Sequence, residues 1–193
     1  MLVPDTTPYA WPYDGRFEPS RSALVICGSG SAWSPRCPLD ETVETNIERL
    51  RSIALNVGVA VVLVRHDTPA RVETIVGPSP APLAPRPHEL GVEAAGIDGF
   101  YGSPLDAVLR SLGRDQLFFV GRGFEATVHS TVRRANDRGY ESLTIADACA
   151  TLDATMRPAS ISTIEMSGGI FGAVGTTDPV INTLTLFQPE ASS

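Results

Sequence analysis

Short, continuously apolar runs alternate along the chain with longer stretches whose apolar residues recur every three or four positions. The run "SALVIC" (22–27) and the run "VAVVLVR" (59–65) are apolar throughout, as expected of parallel strands covered on both faces. Between them, Asp40 after Pro38 is a plausible N-cap, and Val43, Ile47, Leu50, Ala54 and Val57 follow at helical spacing until Gly58. The pattern then repeats. "SPLDAVLRSLG" (103–113) predicts a helix capped by Ser103 and stopped by Gly113, "QLFFVG" (116–121) a strand, 125–138 a helix and "SLTIAD" (142–147) a strand. Within this unit Phe118, Val120, Val128, Val132 and Ala135 are expected to form one buried stripe. Helices near 158–168 and 177–185 complete the pattern. Such alternation predicts an α/β three-layer α-β-α sandwich, Rossmann-like, around a central, mostly parallel sheet of about six strands.

Two segments fall outside this alternation. Residues 1–21 hold turn formers and the rings of Tyr9, Trp11, Tyr13 and Phe17, and read as an irregular arm ordered only where those rings are buried on the domain or a neighbour. Residues 22–193 then form a single domain, as 193 residues allow. The proline-rich stretch 77–87 must be a loop, long enough to be functional or to cross a subunit boundary.

Composition narrows the function. With 42% hydrophobic and 19% charged residues the chain is globular, and its net charge of −7 argues against a nucleic acid or an anionic membrane surface as partner. No run is long enough to span a bilayer, and the proline-broken N-terminus is unlike a signal peptide, which favours the cytoplasm. Cys27, Cys37 and Cys149 lack metal-site spacing; Cys27 reads as a buried thiol in a strand, and Cys37 and Cys149 sit in loop-like contexts with no sign of activation. His66 and Asp67 follow a strand without a second nearby histidine, so no metal is expected. The glycine-rich "GSGSA" (28–32) lacks nucleotide-fingerprint spacing, and no cofactor is expected.

In a parallel sheet of this kind ligands bind beyond the carboxyl ends of the strands, here the turns after Cys27, Arg65 and Val120. At those turns the residues resemble a known family. "DGFYGSPLD", "VGRGFEAT", "TVRRANDRGY" and "IADACATLD" within residues 97–153, with "RSALVICGSGSAW" upstream and "FGAVGTTDPVINTL" downstream, are similar to segments of the isochorismatase-like (cysteine amidohydrolase) superfamily. The resemblance implies an aspartate, lysine and cysteine triad, with the cysteine as nucleophile at a helix start that favours its thiolate. Carried over position by position, the aspartate's place falls on Gly28, the lysine's on Ala94 and the cysteine's on Thr127.

Glycine and alanine exchange no protons, and a threonine hydroxyl is a feeble nucleophile without a base. Replacement bases are few. His129 lies two residues beyond Thr127, on another helix face; Asp98 suits a turn or cap; Glu125 suits a helix-start carboxylate; Glu93 adjoins the lysine's place as a solvated group. Trp33 and Phe124 are bulky enough to plug the cavity or to line it. The expectation is a degenerate member without catalytic residues, a ligand-binding, structural or regulatory subunit with Trp33, Asp98, Phe124, Glu125 and Thr127 as candidate contacts. Its partners would be a small molecule and other subunits, as a homo-oligomer or with an active paralogue. The alternative is a repurposed hydrolase of a small amide, carbamoyl or cyclic substrate, using helix-start amides as an oxyanion site.

Overall fold

The computed structural model describes residues 1–29, 37, 40–66 and 83–189. Six strands form one sheet: β1 (Ser22–Cys27), β2 (Ala60–His66), β3 (Leu90–Ala94), β4 (Gln116–Arg122), β5 (Glu141–Ala150) and β6 (Ala173–Gly175). Their order is β3-β2-β1-β4-β5-β6, and every pairing is parallel. The chain therefore winds outward from β1 in one direction and from β4 in the other, and the strand order reverses between those two strands. Among the described residues five α-helices flank the sheet: α1 (Glu41–Asn56), α2 (Leu105–Ser111), α3 (His129–Asp137), α4 (Arg157–Glu165) and α5 (Thr177–Thr185).

Side-chain alternation along the strands separates two cores. Leu24, Ile26, Leu63, Phe118 and Val120 point to the face covered by α1 and α5, where they meet Ile47, Leu50, Val180 and Leu184. Val25, Cys27, Val62, Val64, Leu117 and Phe119 point to the opposite face, against Leu105, Leu109, Val128, Val132 and Ile164 of α2, α3 and α4. The stripe expected around α3 is corrected by this alternation. Phe118 and Val120 are buried, but on the face away from α3, and Leu117 and Phe119 take their place.

Local chemistry sets most element ends as expected. Asp40 caps α1 by accepting from the Val43 amide at 2.8 Å, and Gly58 (φ +80°) follows its end. Ser103 accepts from the Leu105 amide at 3.1 Å, although the helix itself begins one residue later than a cap at 103 requires. Strands β3 and β6 lie outside the four predicted runs, and β5 runs past Asp147 to Ala150, so Cys149 sits in a strand rather than a loop.

The arm packs on its own domain. Val3, Trp11 and Phe17 are buried in the α1 and α5 core, with the Trp11 ring centroid 5.0 Å from that of Phe118 and Phe17 at 5.6 Å from Phe187. Thr7 exchanges backbone hydrogen bonds with Val174 of β6. Of the proline-rich loop, residues 83–87 are described. Ala84 in it accepts from Arg51 of α1, which also makes a two-pronged ion pair with Glu89 at 2.9 and 2.5 Å. No helix among the described residues is long and apolar enough to cross a membrane.

Candidate functional site

The turns that leave β1, β3 and β4 gather at the carboxyl edge of the sheet, on either side of the point where strand order reverses. Gly28, the first residue after β1, has φ +69°. A Cβ there would lie 2.9 Å from the Cβ of Arg122 and 3.0 Å from its carbonyl oxygen. Glycine is thus required twice, for the backbone angle and for the approach of β4. The same approach recurs at Gly121 (φ +125°), where a Cβ would fall 2.1 Å from the Cys27 oxygen. An aspartate at position 28 has neither the backbone conformation nor the room. Ala94 ends β3 opposite His66 and is buried.

The turn from β4 into α3 is wider than an ordinary helix start. Gly123 adopts the left-handed conformation (φ 71°, ψ 57°), and residues Phe124–Val128 form a π-turn in which the Val128 amide donates to the Gly123 oxygen at 3.1 Å. Thr127 lies inside this turn and is fully buried. Its hydroxyl donates to the Arg122 carbonyl and, at 3.3 Å, to that of Gly123. Its own carbonyl accepts from the Thr131 hydroxyl at 2.6 Å. The hydroxyl proton is therefore held by backbone, and its hydrogen bonds among the described residues include no side-chain base. Gly28 and Thr127 both converge on the backbone of Arg122.

The other candidates have structural partners. Asp98 accepts from the Phe100 amide at 2.8 Å and from Arg134 Nε at 3.1 Å, and Gly99 between them leaves no space for a side chain beside Thr131, whose hydroxyl accepts from the Gly99 amide. This is the turn role the sequence suggested. Phe124 is fully buried in the α3-side core and stacks on the His129 ring at 5.6 Å. Glu125 lies in the first turn of the π segment, where a helix-start carboxylate stands, and one carboxylate oxygen also accepts from the Leu152 and Asp153 amides at 2.8 and 3.1 Å, tying the turn to the exit of β5. Its other oxygen is buried with no partner among the described residues. Glu93 is exposed and paired with Arg65. Trp33 and Asp67 lie outside the described residues.

Two histidines and three thiols are held inactive by burial. His66 donates from Nδ1 to the Gly96 oxygen at 3.0 Å, leaving Nε2 buried and without a partner among the described residues, and burial pulls its pKa down to about 4 against smaller opposing effects of Gly96 and Asp98. His129 is likewise lowered by burial, its Nε2 donating to the Ser160 oxygen at 2.9 Å. Burial pushes the Cys27 thiol up to about 12 and the Cys37 thiol to about 11, and holds the Cys149 thiol well above the usual range. Cys37 Sγ accepts from the Gly123 amide at 3.2 Å. Among the described residues no group of three His, Cys, Asp or Glu side chains is placed to hold a metal ion.

One residue at this edge had no place in the sequence reading. Arg122, the last of β4, is 5% exposed. Its Nε is buried without a partner among the described residues, and Nη1 donates to the Gly28 oxygen at 3.5 Å. Burial lowers its pKa, partly offset by Cys37 and Glu44. The signal was available: a charged residue closes the apolar run "QLFFVG" directly before the turn glycine. A groove of about 370 Å³ lies nearby between α3 and α4, lined by Glu125, His129, Arg133 and Ser160 among others.

A six-stranded parallel sheet whose strand order reverses between β1 and β4, flanked by helices on both faces, defines an α/β architecture of the isochorismatase-like class. The chain belongs to the isochorismatase family: the isochorismatase domain matches residues 22–178. It is 32% identical over 102 residues to ureidoacrylate amidohydrolase RutB of Variovorax paradoxus, covering 52% of this chain and 39% of that protein. The corresponding protein of Methylorubrum extorquens is 36% identical over 66 residues, 34% of this chain and 27% of its own. The chain thus spans well under half the length of these curated relatives in the matched region. Among solved structures, a cysteine hydrolase from Pseudomonas syringae superposes with a TM-score of 0.77 at 23% identity, covering 89% of this chain and 95% of that one. The nicotinamidase SaPncA from Staphylococcus aureus gives 0.60 at 19% identity over 80% and 99%. These likenesses establish the fold.

Proposed function

We propose that this chain is a non-hydrolytic member of the isochorismatase family that binds a small molecule or serves as a structural or regulatory subunit, in an oligomer of its own copies or beside an active relative. The observation that carries this reading is that Thr127, the residue the family resemblance puts at the nucleophile's place, is fully buried and gives its proton to backbone carbonyls. The acid's place at Gly28 supports it, because the left-handed backbone and the contact with Arg122 admit no side chain. The named activity of the curated relatives, ureidoacrylate amidohydrolysis, supplies the substrate class against which the reading is tested. Assayed for ammonia release with ureidoacrylate, nicotinamide and simple carbamoyl compounds, the protein is expected to show no turnover above buffer. Turnover that disappears in Thr127→Ala would overturn the proposal.

A repurposed hydrolase has one observation in its favour. Glu125 and His129 line the groove between α3 and α4, the first with a buried, unpartnered carboxylate oxygen and the second neutral, its proton on Nε2. In that case turnover survives Thr127→Ala and is lost in Glu125→Gln, which separates the two readings.

A further inference from the structure

At the amino edge of the sheet, opposite the edge described above, the turns that enter β4 and β5 border a cavity of about 310 Å³. Its charged lining is Arg110 from the last turn of α2, Arg114 from the turn into β4, Arg138 just past α3, and one carboxylate, Asp115. That carboxylate is taken, since Asp115 accepts from Arg21 Nε and Nη2 at 3.0 and 2.7 Å. Arg110 and Arg138 share Asp106, which they reach at 3.2 and 3.4 Å and which also accepts from the Tyr140 hydroxyl at 2.8 Å. Arg114 has no carboxylate at ion-pair distance among the described residues, and burial lowers its pKa with no carboxylate acting against it. Helix ends explain part of this lining. The last carbonyls of α2 and α3 carry partial negative charge, and Arg110 Nη2 donates to the Arg138 carbonyl at 3.2 Å. Arg114 has no such role. It lies beyond α2 and donates from Nη1 to the carbonyls of Pro19, Ser20 and Gly58, three bonds from one nitrogen that fix the side chain at the cavity wall. Of the undescribed residues, those after β1 and β2 start from the opposite edge of the sheet, and those after Pro189 from the end of α5, on its other face.

We propose that this cavity is a second binding site, in which Arg110, Arg114 and Arg138 clamp the phosphoryl group of a small phosphate ester or free phosphate. The three guanidiniums come from three separate elements, so together they suit a tetrahedral oxyanion better than the planar carboxylate that a single guanidinium fork takes. Charge points the same way. Three guanidiniums against the one carboxylate of Asp106 leave a positive excess, which the partial charges of two helix ends reduce but do not cancel. The site lies at the far end of α3 from Thr127, and it does not depend on the reading of that residue.

The test titrates inorganic phosphate and glycerol 3-phosphate into ¹⁵N-labelled protein, with acetate and chloride at matched ionic strength as controls. Both phosphates are expected to shift the amides of Gly113 and Gly139, which border the cavity, with a Kd in the millimolar range or below. Acetate is expected to bind about tenfold more weakly or worse. Tighter binding of the ester than of free phosphate would support an ester as the ligand, and the reverse order free phosphate. Arg138→Gln, at an exposed side chain, is expected to weaken phosphate about tenfold, and Arg114→Met to weaken it at least as much. Because Arg114→Met gives up three bonds to backbone, Arg138→Gln and the unaltered protein decide should it fail to fold. Glycine amides that neither phosphate moves, or that chloride moves equally, overturn the proposal, as does an unchanged phosphate affinity in Arg138→Gln. Hydrolysis lost in Thr127→Ala would sink the non-hydrolytic reading and leave this site standing.

Discussion

At the scale of single residues, this molecule shows what burial does to groups that could act. His66 is 1% exposed, with its proton fixed on Nδ1 by the Gly96 carbonyl and its pKa depressed to about 4 by desolvation. The unfolded chain takes up a proton near the ordinary histidine value of about 6.5, so between those values the unfolded state binds more protons than the folded one. Stability is therefore full above the unfolded value, falls as pH drops from about 6.5 towards about 4, and this histidine removes on the order of 3 kcal/mol. Urea unfolding at pH 7 and pH 5 should show about 2 kcal/mol of that loss in the unaltered protein and a smaller one in His66→Asn, whose amide can keep the bond to Gly96. An identical pH dependence in the variant would mean that another group is responsible. The residue scale is also where sequence reads least well. The resemblance puts the three triad positions on Gly28, Ala94 and Thr127 by counting, and a charged residue before the turn glycine marks Arg122 in "QLFFVGRG", but not how deeply it is buried. The backbone conformation at Gly28 and the crossing of two strands decide that, and both are properties of residues 94 positions apart.

Elements were legible in proportion to how much apolar surface they bury. The four central strands and the helices between them follow from continuous and periodic patterns, because both sides of each central strand are covered. Strand β3 was not legible: in "LGVEA" only Val92 and Ala94 are buried, and its edge position leaves Glu93 in solvent. Strand β6 has three residues, too few for a period. The π-turn before α3 inserts one residue per turn without altering composition, so it left no trace either. What holds β3 at the edge is a polar device, not an apolar one. Arg51 of α1 is 2% exposed and Glu89 8%, and Arg51 Nη1 also reaches Glu48 at 2.9 Å. Burial alone would push the Glu89 carboxyl up, but the bonds from Arg51 and the Arg86 amide with both guanidinium charges hold it below the usual carboxylate range. Its contribution is present above the unfolded glutamate value and fades as pH falls through the lower folded one. Glu89→Gln leaves Arg51 buried and uncompensated and is expected to cost about 3–5 kcal/mol in denaturant unfolding. The double variant Arg51→Met, Glu89→Leu should be far closer to the unaltered protein, since an apolar pair of similar volume carries no desolvation cost. A double variant as damaged as the single one would show that the ion pair itself, not the orphaned charge, is what matters.

For the molecule as a whole, the irregular arm turns out to be part of the core. Trp11 is fully buried between Phe17 and Phe118, with ring centroids 5.9 and 5.0 Å away. Trp11→Ala is expected to cost about 3–5 kcal/mol, as large aromatic truncations in cores do. A change below about 1 kcal/mol would mean that the arm is laid on the surface rather than into the core. The sequence posed the choice between burial on the domain and burial on a neighbour, and could not decide it, because the ring's acceptors lie more than 100 residues away. Phe118 and Val174 become partners of the arm only once the sheet is assembled.

That distance gives the arm a place in time as well as in space. Thr7 bonds to Val174, so on a ribosome adding about 5–20 residues per second the arm emerges roughly 10–30 s before the strand it pairs with. Trp11 and Phe17 wait for Phe118 of β4 before their rings can be buried, and Thr7 waits longer, for Val174. The arm is thus made well before the strand it pairs with, and its backbone bonds to β6 can form only once β6 has cleared the exit tunnel.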